Sequence, residues 1–203
     1  MSEASAKTSN SKARVSKNRP FIYDLVLISI SAALITVCSW ISIPLGALPF
    51  TLQTMAILAV MLTCGGRRGT IAILVYLVMG FCGVPVFAGF KGGVAALIGP
   101  TGGFLVGFVI AALVYWLLES MVFKRLMTTT AKTLLFGALN SIIFEVAMYI
   151  VGVIWFMTVY MVQTGPIGFS TVIGWCVIPF IMPDIVKMAV ALVIGERARK
   201  LVK

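Results

Sequence analysis

From Phe21 onward the chain is a succession of long, continuously apolar runs separated by short stretches rich in Gly, Pro and basic residues. Unbroken apolarity predicts membrane-spanning helices, because the strands of a transmembrane barrel alternate apolar and polar positions. A helix also pairs every backbone N–H and C=O within its own segment, as hydrocarbon requires. The first run predicts a span over 21–43 that stops at Pro44, with Leu45-Gly46-Ala47-Leu48-Pro49 as an external loop. Two shorter arms follow, 51–64 and 70–84, joined by Gly65-Gly66-Arg67-Arg68-Gly69. Neither reaches the roughly 20 residues of a straight span. Their flanks, 50–54 and 84–90, therefore lie at membrane depth, where irregular backbone must be covered by protein or line a cavity. This is a first pointer to a pocket on the outer side.

The stretch 87–107 carries seven glycines around the Pro100 turn, a density that lets backbone approach backbone or ligand closely. A fourth span is expected over 104–118 and a fifth over 134–161. Gly165-Pro166-Ile167-Gly168 breaks the chain before a short outer helix, 169–178, ending at Pro179. A last helix over 183–200 would take Pro183 in its first turn, where the missing N–H costs nothing, and Asp184 beside it with favourable charge. Its length, about 27 Å at roughly 1.5 Å per residue, nearly crosses the hydrocarbon core. The expected fold is all-α: one six-helix transmembrane bundle over 21–203, with structured outer loops and both termini cytoplasmic. The polar, Ser- and Lys-rich residues 1–20 read as a disordered cytoplasmic tail.

Composition agrees, at 61% hydrophobic and 11% charged residues with a mean hydropathy of +1.10. The net charge of +10 does not point to nucleic acid, because the basic residues follow membrane topology. Lys7, Lys12, Arg14, Lys17 and Arg19 precede the first span. Arg67 and Arg68 lie in the second connection, Lys124, Arg125 and Lys132 in the fourth, and Arg197, Arg199, Lys200 and Lys203 after the last. With six crossings all of these are cytoplasmic, leaving Lys91 in an outer loop and Lys187 within a span.

Chemistry-bearing residues are few. Cys38, Cys64, Cys82 and Cys176 sit in apolar surroundings without C-x-x-C spacing, and there is no histidine, so neither a disulfide frame nor a metal site is indicated. No Ser or Cys lies beside a plausible base, and the phosphate-cradling loop motif is absent, which argues against an enzyme and against nucleotide binding. Intramembrane charge stands out instead. Asp184 and Lys187 are neighbours on one helix face, either a functional pair or a neutral pair that joins helices. Asn140 and Glu145 lie in the fifth span, and Tyr149, Trp155 and Tyr160 further toward the outside, as packing residues or interfacial anchors. Ser29 and Ala33, with Ala32 beside them, form a small-xxx-small groove suited either to a helix of this bundle or to a partner protein.

Six motifs, in order, make a larger pattern: Ile41-Ser42-Ile43-Pro44, Pro49-Phe50-Thr51-Leu52-Gln53-Thr54, Gly66-Arg67-Arg68-Gly69, Gly83-Val84-Pro85-Val86-Phe87-Ala88-Gly89, Gly99-Pro100-Thr101-Gly102-Gly103-Phe104 and Pro179-Phe180-Ile181-Met182-Pro183-Asp184-Ile185-Val186-Lys187. Together, over about 24–195, they resemble the BioY family, the biotin-specific substrate-binding subunits of energy-coupling factor (ECF) vitamin transporters. The resemblance implies a non-catalytic, multi-pass protein of the bacterial plasma membrane that captures biotin from outside and uses no cofactor. It also implies a transmembrane coupling subunit and two ATPase subunits as partners, with the Ser29, Ala32 and Ala33 groove as the coupling contact. Asp184 would accept from the ureido N–H groups of biotin, and Lys187 would orient Asp184 and donate to the ureido carbonyl or the carboxylate. Phe50, Phe87, Tyr149 and Trp155 would wall the ring and tail, with Gln53 a further polar contact and Lys91 a candidate for the carboxylate at the mouth. A different vitamin, or a structural role in membrane assembly, are the competing expectations.

Overall fold

The computed structural model describes the backbone of residues 2–45, 48–126 and 130–202, and the side chains of 21–44, 48–121 and 133–199. The side chains of Lys7, Lys12, Arg14, Lys17, Arg19, Lys124, Arg125, Lys132, Lys200 and Lys203, on which much of the charge pattern rests, lie outside the described residues. In chain order the elements are α1 (Ser2–Trp40), β1 (Ser42–Leu45), β2 (Leu48–Thr51), α2 (Gln53–Cys64), α3 (Gly66–Phe81), α4 (Val94–Ile98), α5 (Gly102–Leu126), α6 (Thr130–Thr164), α7 (Phe169–Cys176) and α8 (Ile178–Val202). Among the described residues, four apolar stretches are long enough to cross a membrane: Phe21–Trp40, Gly102–Met121, Thr133–Thr164 and Phe169–Arg199. The backbone of α1 runs back to Ser2, through the segment read from sequence as a tail.

Helix packing follows the chain. Helices α5 and α6 form an antiparallel pair, α2 lies against α8, and α3 packs on both α1 and α5. The main core draws Ile35, Ile57, Met61, Ile73, Tyr76, Ala111, Phe144 and Ala191 from these helices, all essentially inaccessible. Helices α2 and α3 are short, about 18 Å and 24 Å at roughly 1.5 Å per residue, which leaves space above them. At the α2–α3 turn, the Gly66 N–H donates to the Glu119 carboxylate on α5, and Arg68 pairs with Asp24 of α1 at 2.6 Å.

Two expectations need correction. The first span ends as helix at Trp40, and the supposed loop at 45–49 belongs to a β-hairpin, with Ile43 opposite Phe50 and Pro44 opposite Pro49. Neither proline has an N–H, so they suit a non-hydrogen-bonded pair of an antiparallel ladder, and the register keeps both strands. Gly46 and Ala47, between the strands, lie outside the described residues. The last helix starts at Ile178, not Pro183, so Pro179 occupies the first turn and Pro183 lies inside the helix. Asp184 is consequently in the second turn, without the helix-terminal setting anticipated for it.

The remaining connections close the hairpin end of the bundle. The loop after α3 is stapled to the end of α1: Ser39 Oγ donates to the Val86 carbonyl, Trp40 Nε1 to the Pro85 carbonyl at 2.8 Å, and Phe90 stacks on Trp40 with centroids 5.0 Å apart. Phe90 holds a φ of 57°, unusual for a residue with a side chain. A second core, of Leu48, Val153, Phe156, Val172, Cys176 and Phe180, joins the hairpin, α6, α7 and α8.

A cavity floored by a buried ion pair

Above the short helices lies a cavity of about 870 Å³. Its walls come from the hairpin, the first turn of α2, the Phe87–Gly92 loop, α4, the Gly99–Thr101 turn, α5, α6 and α8. Most of the lining is apolar, including Phe87, Phe104, Phe108, Met148 and Phe180, as in small-molecule sites that fix orientation with few polar groups.

Those polar groups converge at one place. Asp184 and Lys187 are 7% and 5% exposed, and Lys187 Nζ lies 2.9 Å from Asp184 Oδ1. Helical i, i+3 spacing puts both on one face, as the sequence predicted. Tyr149, from α6, donates its hydroxyl to Asp184 Oδ2. The ammonium of Lys187 also sits 4.1 Å from the centroid of the Phe50 ring, a cation–π contact that the hairpin supplies. The carboxylate thus has one bond at each oxygen and keeps a lone pair at each, while the ammonium keeps donors to spare. Two parallel acceptors beside a cationic donor are matched by a ligand that offers two N–H groups and a carbonyl.

The other sequence candidates are distributed around this floor. Gln53 and Phe87 are buried in the cavity wall, and Lys91 is exposed on its loop rim. Phe87 fills the space above Gly80, where a Cβ would come within 2.0 Å of its ring, and meets Tyr76 edge-on at 5.5 Å. Phe50 and Trp155 are not cavity walls. Phe50 underlies Lys187, whereas Trp155 packs over Gly103 and donates to the Gly99 carbonyl at 3.1 Å, bracing the turn that forms the wall. Sequence reasoning missed Thr54, which lines the cavity beside Gln53; the buried Thr54 Oγ1 and Gln53 Nε2 have no hydrogen-bond partner among the described residues. It also missed Phe104 and Phe180, although all three fall inside motifs quoted above. Ser29 and Ala33 are exposed on α1, but Ala32 is buried in the core and so faces its own bundle. The four cysteines are free thiols.

Known proteins resemble this arrangement along nearly its whole length. A crystal structure of the S-component for biotin from an ECF-type ABC transporter superposes with a TM-score of 0.73 at 26% identity, covering 90% of this chain and 94% of that one. The probable biotin transporter BioY of Pyrococcus horikoshii is 36% identical over 174 residues, 86% of this chain and 94% of the relative. The biotin transporter BioY of Thermotoga maritima is 36% identical over 177 residues, 87% and 96% of the two chains. The BioY family model matches residues 7–203, and the chain belongs to the BioY family.

Proposed function

We propose that the protein captures biotin as the membrane-embedded substrate-binding subunit of an ECF-type transporter. The observation that carries this is the Asp184–Lys187 pair, buried and presented to a largely apolar cavity. Biotin's ureido ring brings two N–H donors and a carbonyl. The N–H groups bond to the free lone pairs of the Asp184 carboxylate, and Lys187 donates to the carbonyl or to the valerate carboxylate. Charge-assisted bonds in a dry site are the strong kind. Thr54 and Gln53 supply further polar contacts, and the aromatic walls cover the thiophane ring and the chain. Lys91 at the rim meets the carboxylate when the ligand lies with its tail outward.

The finer architecture follows the same reading. Six crossings result when α2 and α3 each count as one, which puts both termini in the cytoplasm and the hairpin outside, in keeping with Arg67 and Arg68 on the inner face. Residues 1–20 form a cytoplasmic tail. With no nucleotide motif in the chain, energy comes from a transmembrane coupling subunit and two ATPase subunits, met through the exposed Ser29 and Ala33 of α1. Labelled biotin bound to the purified protein in detergent, challenged with unlabelled biotin, thiamine or riboflavin, tests the ligand. Displacement by biotin alone is expected. Displacement by thiamine or riboflavin at similar concentrations would assign the cavity to another vitamin.

A further inference from the structure

Tyr76 of α3 is fully buried behind the cavity wall, edge-on against Phe87, and its hydroxyl has no hydrogen-bond partner among the described residues. A buried hydroxyl left unmatched is costly, so the groups around it matter. Two lie beside it: the hydroxyl of Ser39 near the end of α1 and the side-chain amide of Gln53, the first residue of α2. Both residues are buried, and the Gln53 amide nitrogen, like the Tyr76 hydroxyl, is unbonded. Gln53 belongs to the cavity lining, whereas Tyr76 and Ser39 stand behind it.

We infer that Tyr76 is a positioning residue that fixes how Gln53 meets the ligand, through a one-way chain of hydrogen bonds from Gln53 to Tyr76 to Ser39. Proton counting sets its direction. Ser39 has one hydroxyl hydrogen, and the acceptors it reaches are the carbonyls of Thr36 and Val86, so the hydrogen is spent there. Toward Tyr76 the Ser39 oxygen can only accept. Tyr76 therefore donates to Ser39 and turns a lone pair to Gln53, which must present its NH2 group. The terminal torsion of a glutamine is broad, so the amide turns to the Tyr76 oxygen without leaving a rotamer well. With its nitrogen committed there, Gln53 offers the cavity its carbonyl oxygen. An acceptor suits an N–H group of the ligand and repels a carbonyl or a carboxylate. The inference rests on the biotin reading and adds that the ureido end, not the tail, lies against the first turn of α2.

The test is a double-mutant cycle on the full chain in detergent, read by calorimetric titration with biotin, with cooperative melting as the check on folding. Tyr76→Phe keeps the ring against Phe87 and removes only the hydroxyl, so a role confined to packing would leave affinity unchanged. A fall of about three- to tenfold is expected, the range of one neutral hydrogen bond. Gln53→Met should fall at least as far, and adding Tyr76→Phe to it should cost nothing more. Biotin amide, which differs from biotin only at the carboxylate, should be weakened by Gln53→Met by the same factor as biotin. Unchanged affinity in Tyr76→Phe, or losses that add up in the double variant, overturns the positioning role. A loss with biotin that biotin amide does not share would put the carboxylate against Gln53 and overturn the assigned end. A folded parent that binds no biotin overturns the ligand reading and the orientation with it, whereas failure of the inference alone shows only between variants of a parent that binds.

Discussion

Tyr149 on α6 donates its hydroxyl hydrogen to Asp184 Oδ2 on α8, while Lys187 holds Oδ1 from one turn further along α8. One carboxylate is thereby aimed by two helices that otherwise pack on different partners. The bond also separates the large cavity from a groove between α6 and α8, since both residues line both. Orientation of the carboxylate before the ligand arrives reduces the ordering cost of binding.

Tyr149→Phe should therefore loosen the carboxylate without removing it. A hydrogen bond to a charged group contributes about 1.5–3 kcal/mol. Biotin affinity should fall by about tenfold or more, measured by calorimetric titration in detergent, with helical content unchanged.

Removing the cation is more damaging. Lys187→Met leaves Asp184 buried without its counter-charge, and breaking a buried pair from one side costs about 3–5 kcal/mol. The melting temperature in detergent should drop clearly for Lys187→Met and recover in the Asp184→Leu/Lys187→Met double variant, which buries no charge. Neither should bind biotin. A single variant as stable as the parent would mean that the pair is hydrated and contributes little.

Gly80 is a place where size is tightly limited. A methyl group there runs into the Phe87 ring. Gly80→Ala should push that ring into the cavity and weaken biotin binding, and the added change Phe87→Leu should restore part of the affinity, as titration of the two variants would read out.

The loop staple should govern rates more than affinity. Trp40→Leu removes both the bond to the Pro85 carbonyl and the stacking on Phe90. Faster association and faster dissociation of biotin are expected in stopped-flow fluorescence, because a loop that opens more often admits and releases ligand more often.

Much of this was legible in the chain, and the gaps have physical causes. The short arms α2 and α3 were readable because Gly65-Gly66 interrupts an otherwise continuous apolar run. The Asp184–Lys187 pair was readable because charge is rare in such a run and i, i+3 residues share a helix face. The hairpin was not, because Pro44 and Pro49 signal a break in any local reading, and only their placement opposite each other reconciles them with a ladder. Pro183 was mistaken for a helix start because Pro179 fits that position equally well, and packing of the first turn of α8 under α7 decides between them. Phe50 and Trp155 were recognised as aromatic residues near the site. Their actual tasks, supporting Lys187 and bracing the Gly99 turn, depend on contacts between distant segments that no local pattern encodes.

The central claim is that Asp184 anchors biotin in the cavity. Isothermal titration of the purified chain and of Asp184→Asn with biotin tests it most directly, since the amide keeps the shape but replaces one acceptor oxygen by a donor and removes the charge. The account predicts saturable binding by the parent and at least about a hundredfold loss in Asp184→Asn, in line with roughly 3 kcal/mol for a charge-assisted contact and its unpaired partner. Equal affinity in the two proteins, or no saturable binding by the folded parent, would contradict it.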